Sequence, residues 1–293
     1  WKGGLLSELY LRTLERLETG ELIEEEQGAH VQRRKERLRQ TLVAEAAPEQ
    51  VDGFLTAMPD SYFLTTPEES VPEHFQLMSR FSQAGLEVLD DPYRVSLNHF
   101  PEQEYSELAL VTRDRPGLFA MLAGVLAVSG LSVAGARITT SQQGIALDVF
   151  RLSHLDRQDV VLSPDTWARF YPRLGDVLRG ERTVEELLQA ARPPAFLKRL
   201  RPHLQTEVTI DNTTSSTYTL VDITAPDRTG LLFSVTYALF QFGLVIHLAK
   251  ITTNVDQVLD VFYVTDVTGT KVGDPERLTA ALYSRLINDE EAA

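Results

Sequence analysis

Two stretches of this chain have the residue types and spacing to hold a small charged ligand, and they are copies of one another. The first reads Asp114-Arg115-Pro116-Gly117-Leu118-Phe119 and the second Asp227-Arg228-Thr229-Gly230-Leu231-Leu232. Each has the make-up of a strand-to-helix turn. Arg115-Pro116-Gly117-Leu118 and Arg228-Thr229-Gly230-Leu231 place backbone N–H groups at a helix N-terminus, where the dipole favours a carboxylate. Pro116 suits a first helical turn, and Gly117 and Gly230 let the backbone approach a ligand or relieve crowding. Asp114 and Asp227 are expected to cap these helices, and can also accept from a ligand ammonium. Arg115 and Arg228 stand beside them, although arginine is most often solvated. A second acidic pair, Asp148 and Asp260, is embedded in apolar strands. A carboxylate there has to face solvent, find a partner, or meet a ligand or a neighbouring module.

Catalytic patterns do not accompany these turns. The six histidines are His30, His74, His99, His154, His203 and His247. No two stand at i, i+4, so a metal-hydrolase pattern is missing, as are a P-loop and the Gly-Ser with Asp-x-Asp of a nucleotidyltransferase. His74 reads as a helix residue with a local partner, and His247 as a packed or surface residue in a strand. The expectation is a binding region with no catalytic and no metal-ligating residues of its own.

The elements that must position the turns are legible in the repeat. Alternating apolar runs, Leu108–Thr112 and Thr219–Ile223, precede each turn and read as strands. Apolar helices follow, Leu118–Val128 and Leu231–Phe242, each closed by a glycine (Gly130, Gly243) suited to a left-handed residue. Two further strands come next, Ser132–Thr139 with Ala146–Leu152, and Val245–Thr252 with Val258–Thr265. This is β-α-β-β, the opening of a ferredoxin-like β-α-β-β-α-β unit, present twice.

The remainder of the first unit is looser. Helices are expected over Pro164–Tyr171, Thr183–Ala191 and Phe196–Leu204, with Pro193-Pro194 between the last two. Thr206–Ile210 alternates and is expected to supply this unit's fourth strand. In the second unit Asp274 caps a final helix that reaches Ile287. No fourth strand is visible for that unit, and Tyr93–Asn98 is one candidate for its edge. Before the units, residues 1 to about 47 read as helical, with Leu5, Leu6, Leu9, Tyr10, Leu14 and Leu17 at three- and four-residue steps. A short helix over Glu49–Met58 and another over Glu69–Ala84 follow. Between them, Pro59-Asp60-Ser61-Tyr62-Phe63 reads as a turn leading into aromatics. The expected architecture is α+β: a helical segment over 1–90, a first module over 91–212 and a second over 213–293.

Composition narrows the function classes. The 293 residues carry 28 basic and 42 acidic side chains, a net charge of −14. That balance disfavours nucleic acid or an anionic membrane as partner. There is no cysteine, which excludes disulfides and thiolate metal sites. No apolar run approaches the roughly 20 residues of a membrane span. The expected setting is cytoplasmic. The chain begins at Trp1, without an initiator Met, and reads as a piece of a longer protein.

Strand, Asp-Arg-Pro-Gly-Leu, helix, Gly-Leu and hairpin together resemble the ACT domain, a small-molecule regulatory module. The pair is more specific. Ala136-Arg137-Ile138-Thr139-Thr140 through Phe150, and His247-Leu248-Ala249-Lys250-Ile251 through Asp266, resemble the C-terminal tandem of the bifunctional uridylyltransferase/uridylyl-removing enzyme family. Met58-Pro59-Asp60-Ser61-Tyr62-Phe63 with Pro72-Glu73-His74-Phe75 resembles that family's linker, and Trp1-Lys2 with Leu5–Tyr10 the end of its HD hydrolase domain. The resemblance implies two ferredoxin-like βαββαβ ACT modules whose ligand is L-glutamine, and a parent enzyme that modifies the nitrogen-signalling PII protein. ACT modules bind ligand where two modules meet, which adds Ser132-Val133-Ala134 and Val245-Ile246-His247 to the turn residues. No cofactor is expected in this chain, while the parent's catalytic centres, upstream, are expected to need a divalent metal such as magnesium. ACT–ACT pairing or a homodimer is the expected assembly. An alternative is a docking or dimerisation scaffold with no small ligand.

Overall fold

The structure, a computed structural model, describes residues 24–83, 92–153, 162–191, 206–226, 228–254 and 257–292. The expected helices around Leu5–Leu17 and Phe196–Leu204, and Asp227, lie outside the described residues. Helices α1 (Glu24–Leu42), α2 (Pro48–Ala57), α3 (Asp60–Thr65) and α4 (Val71–Gln83) come first. Pro48 opens α2 at its first turn, where its missing N–H costs nothing. The stretch read as a turn is instead the start of α3, with Pro59 at its N-cap and Tyr62 and Phe63 in the core. α4 buries Val71, His74, Phe75, Leu77 and Met78 on one face. His74 is fully buried with Nδ1 3.0 Å from the Tyr62 hydroxyl. Burial pushes its pKa down to about 4, and the nearby Arg137 charge acts in the same direction.

The first module follows: β1 (Tyr93–Phe100), β2 (Tyr105–Arg113), α5 (Leu118–Val128), β3 (Val133–Thr140), β4 (Ile145–Ser153), α6 (Pro164–Arg179) and α7 (Val184–Ala191). Thr183 and Glu186 start α7 as a reciprocal capping box. The Glu186 N–H donates to Thr183 Oγ1 at 3.2 Å, and the Thr183 N–H to Glu186 Oε2 at 2.9 Å. The second module is β5 (Glu207–Asp211), β6 (Thr219–Pro226), α8 (Leu231–Gln241), β7 (Leu244–Asn254), β8 (Gln257–Asp266) and α9 (Pro275–Ala292). Asp274 caps α9 as its sequence foretold, accepting from the Arg277 N–H at 3.0 Å.

Among the described residues eight strands join one sheet in the order β1-β2-β4-β3-β7-β8-β6-β5, antiparallel throughout. Within each half the spatial arrangement is ferredoxin-like, but the edge strand arrives from the N-terminal side. β1 pairs with β2, and β5 with β6. Two expectations are corrected here. Thr206–Ile210 does not close the first module, and Tyr93–Asn98 does not serve the second. Both strands fold back on their immediate successors as hairpins, which costs far less loop entropy than a return across a module. Glu104 in the left-handed region (φ 57°) turns the first hairpin. In the second, Asp211 accepts from the N–H groups of Thr213 and Thr214.

The sheet has helices on both faces in its first half. Leu108 and Leu110 of β2 point to the core shared with α5, α6, α7, α8 and α9, while Ala109 and Val111 point to the helical segment. Burial on both faces explains why this strand reads as a nearly continuous apolar run. On the second half, Leu220, Val261 and Tyr263 form only a small cluster with Tyr218 and Leu248 on the corresponding face. Among the described residues no helix is long and apolar enough to cross a membrane.

The modules meet through three residue pairs, Gly135↔Lys250, Ala136↔Ala249 and Arg137↔Leu248, and through α5 against α8. Gly124 lets α5 pack closely against both α7 and α8. A Cβ there would stand 2.1 Å from Val184 Cγ1 and 3.2 Å from Phe233 Cδ2. Gly124→Ala is therefore expected to overpack this joint and lower stability by about 1–3 kcal/mol, read by urea unfolding of the chain.

Candidate ligand site

The second of the two turns borders a cavity of about 100 Å³. On one side lie Arg228, Thr229, Gly230, Leu231 and Leu232, where β6 gives way to α8. Gly230 is buried and holds φ +84°, a conformation glycine adopts without strain. It is the N-cap of α8, with no side-chain cap. The Leu231 N–H donates to the Arg228 carbonyl at 3.1 Å and the Ser234 N–H to the Gly230 carbonyl at 2.9 Å, which fix the turn. The opposite wall comes from the first module: Ala123 and Ala127 of α5, then Gly130, Leu131, Ser132 and Val133 leading into β3. Ile251, Val258 and Asp260 complete the lining. Ser132, Val133, Arg228, Thr229, Gly230 and Leu231, all expected from sequence, are thus brought together. The small apolar wall of Ala123 and Ala127 was not foreseen.

The first turn is built alike but surrounded differently. Gly117 is the N-cap of α5 at φ +74°, again without a side-chain cap. Asp114 is therefore not the helix cap the sequence suggested. The chain takes one further turn before the helix begins, which carries Asp114 out of reach. Its Oδ2 accepts instead from Thr140 Oγ1 at 2.9 Å, and its N–H donates to the Gly144 carbonyl at 3.0 Å. Pro116 likewise precedes the N-cap rather than occupying the first helical turn. Arg115 Nη1 donates to the Leu178 carbonyl at 2.6 Å, at the end of α6. Leu118 is buried, and its N–H donates to the Arg115 carbonyl at 3.1 Å. Facing this turn is Phe240 of α8: a Cβ on Gly117 would lie 3.3 Å from its Cδ1. Val245 is exposed and Ile246 is in the core, and neither lines the cavity at the second turn.

The two embedded acids have different surroundings. Asp260 lines the cavity with 1% of its surface exposed. Asp148, its counterpart on β4, is fully buried, and neither carboxylate oxygen has a hydrogen-bond partner. It neither faces solvent nor pairs, contrary to the expectation that a strand carboxylate does one or the other. Burial pushes its pKa up to about 8, helped by the charge of Asp114. The Thr139 backbone pulls slightly the other way, without reaching hydrogen-bond geometry.

A larger cleft, about 410 Å³, lies where β3, β4, β7 and β8 meet the helical segment. Within it Arg137 Nη2 is 3.2 Å from Glu107 Oε2, and the Arg151 guanidinium lies 3.8 Å over the Tyr105 ring. Ala134 lines this cleft. His247 lies in a smaller one beside it, with Nε2 3.0 Å from Thr265 Oγ1 and a pKa pushed down by burial. Neither lines the cavity at the second turn. Among the described residues no three His, Cys, Asp or Glu side chains are grouped to hold a metal ion.

The family model described as an ACR9-like, ACT-like domain matches residues 207–291. The bifunctional uridylyltransferase/uridylyl-removing enzyme of Gluconobacter oxydans (strain 621H) is 34% identical over 280 residues, which cover 95% of this chain and 29% of that protein. The enzyme of the same description from Rhodospirillum rubrum is 34% identical over 278 residues, 93% of this chain and 28% of that protein. The one from Azospirillum brasilense is 32% identical over 289 residues, 98% of this chain and 30% of that protein. The chain thus spans just under a third of the length of the curated relatives it matches.

Proposed function

Since the chain is homologous along nearly all its length to one part of the bifunctional uridylyltransferase/uridylyl-removing enzymes and carries an ACT-like regulatory domain, we propose that it is the glutamine-sensing region of such an enzyme. The observation that carries this reading is the cavity between modules, with the start of α8 on one wall and a buried carboxylate in the lining. The positive end of α8 takes the ligand's α-carboxylate. Asp260 takes its ammonium, and the small wall of Ala123, Ala127 and Ser132 leaves room for an uncharged amide side chain.

Because the ligand touches both modules, its affinity depends on how they sit together, and by linkage its binding biases that placement. In the full-length cytoplasmic enzyme this bias sets the balance between uridylylation and deuridylylation of the PII protein. Titration calorimetry of this chain with L-glutamine tests the reading, with L-glutamate, D-glutamine and other amino acids as controls. Saturable, selective heat with L-glutamine is expected. Selectivity for another amino acid overturns the ligand, and no binding by a folded chain overturns the sensor.

A further inference from the structure

We infer that the chain binds one amino acid, not two, because Phe240 occupies the site that the repeat would otherwise create at the first turn. The inference rests on the amino-acid reading of the cavity above. In the register of the repeat, Ala127 and Phe240 hold the same place on α5 and α8, ten residues beyond Gly117 and Gly230 respectively. At the second turn the facing wall presents Ala127, and a cavity remains between it and Gly230. At the first turn the facing helix presents Phe240, whose ring lies against Gly117, 3.3 Å from where a Cβ would stand. The bulk is repeated beside it: where the open wall has Ala123 and Ser132, the second copy has Thr236 and Val245. Over Gly230 the space of a Cβ belongs to Leu188 of α7, which does not line the cavity. Leu188 therefore covers the glycine without filling the site.

Phe240 is 37% exposed, so its ring reaches the surface, as a side chain capping a notch does, and is not locked in the core. It is thus a built-in occupant, and an aromatic of this size excludes a ligand from a close-packed interface. The remaining ligand sits to one side of the β3–β7 joint. Its binding then pulls on one side of the β3–β7 joint only.

The test is calorimetric stoichiometry on the whole chain with L-glutamine as probe. The unaltered chain is expected to bind one equivalent, Phe240→Ala two, and Ala127→Phe none. Asp114→Ala, at the exposed first turn, is expected to leave the single site unchanged. Two equivalents in the unaltered chain overturn the inference, as does a folded Phe240→Ala chain that still binds one. Should Phe240→Ala not fold, loss of binding in Asp114→Ala, or retained binding in a folded Ala127→Phe, overturns it instead. Absence of heat with every amino acid is a different failure. It removes the sensor reading itself.

Discussion

Asp148→Asn stabilises this chain at pH 8 and leaves it almost unchanged near pH 4. The folded carboxyl has its pKa pushed up to about 8, against an ordinary value of 3.8. Between those values the folded state holds a proton that the unfolded state has released. The carboxyl's contribution is therefore fully present below about pH 4 and is lost as pH rises through 8. Asparagine mimics the protonated acid in shape and releases no proton, so the variant escapes the loss. At about 1.36 kcal/mol per pKa unit, the difference between variant and parent grows to the order of 4 kcal/mol at pH 7. Urea unfolding at pH 5, 6, 7 and 8 checks it, and parallel curves with no widening gap would refute a buried neutral Asp148. His74 acts with the opposite sign. Its folded pKa near 4 lies below the ordinary 6.5, so stability falls as pH drops through that interval. Comparing variant with parent at each pH cancels the histidine and leaves the carboxyl alone.

Gly230→Asp removes ligand binding. Its N-cap backbone sits at φ +84°, where a side chain is strained by about 1–3 kcal/mol. A Cβ would also meet Leu188 Cδ2 at 2.9 Å, so that side chain has to shift. Beyond sterics, the new carboxylate, carried on a Cβ that points toward Leu188, adds a negative charge beside the start of α8 that is to hold the ligand's own. Two like charges about 4 Å apart repel by about 4 kcal/mol at the effective dielectric of a protein surface. Affinity is expected to fall by two to three orders of magnitude, since each 1.4 kcal/mol is tenfold. Gly230→Ala separates the terms: it carries the strain and the Leu188 contact without the charge. Calorimetry on both, with circular dichroism to confirm folding, should show binding weakened in Gly230→Ala and lost in Gly230→Asp. Undiminished binding by folded Gly230→Asp would move the ligand away from this turn.

Much of this architecture was legible because the chain states it twice. The left-handed glycines Gly130 and Gly243, the strand-turn-helix order, and the Asp274 cap all come from local chemistry that one residue type answers best. Asp114 misled because a cap has to lie at the residue bounding the helix, and the repeat shows the acid without showing where the helix begins. The pairing of β5 was hidden for another reason: alternation of side chains specifies a strand but not its neighbour. At the site, the turn residues were visible as a motif, and the difference between Ala127 and Phe240 lies in the sequence for anyone who sets the copies side by side. Leu188 was not visible, since α7 has no counterpart in the repeat and its place over Gly230 arises only in three dimensions.

The order of strands bears on how such a chain is made. In each module the outermost strand, β1 or β5, is the first part written, and a helix is the last. As the chain leaves the ribosome, a module's whole sheet is already outside before its closing helices emerge. The first module borrows no strand from the second, although α8 and α9 of the second share its core. A β-α-β-β-α-β order would instead leave the hairpin edge of β2 unpaired until the end, exposed to its neighbours on a crowded polysome. The β3–β7 seam and the packing of α5 on α8 both have to wait for the second half, and so does the cavity at the second turn, whose walls come from both modules.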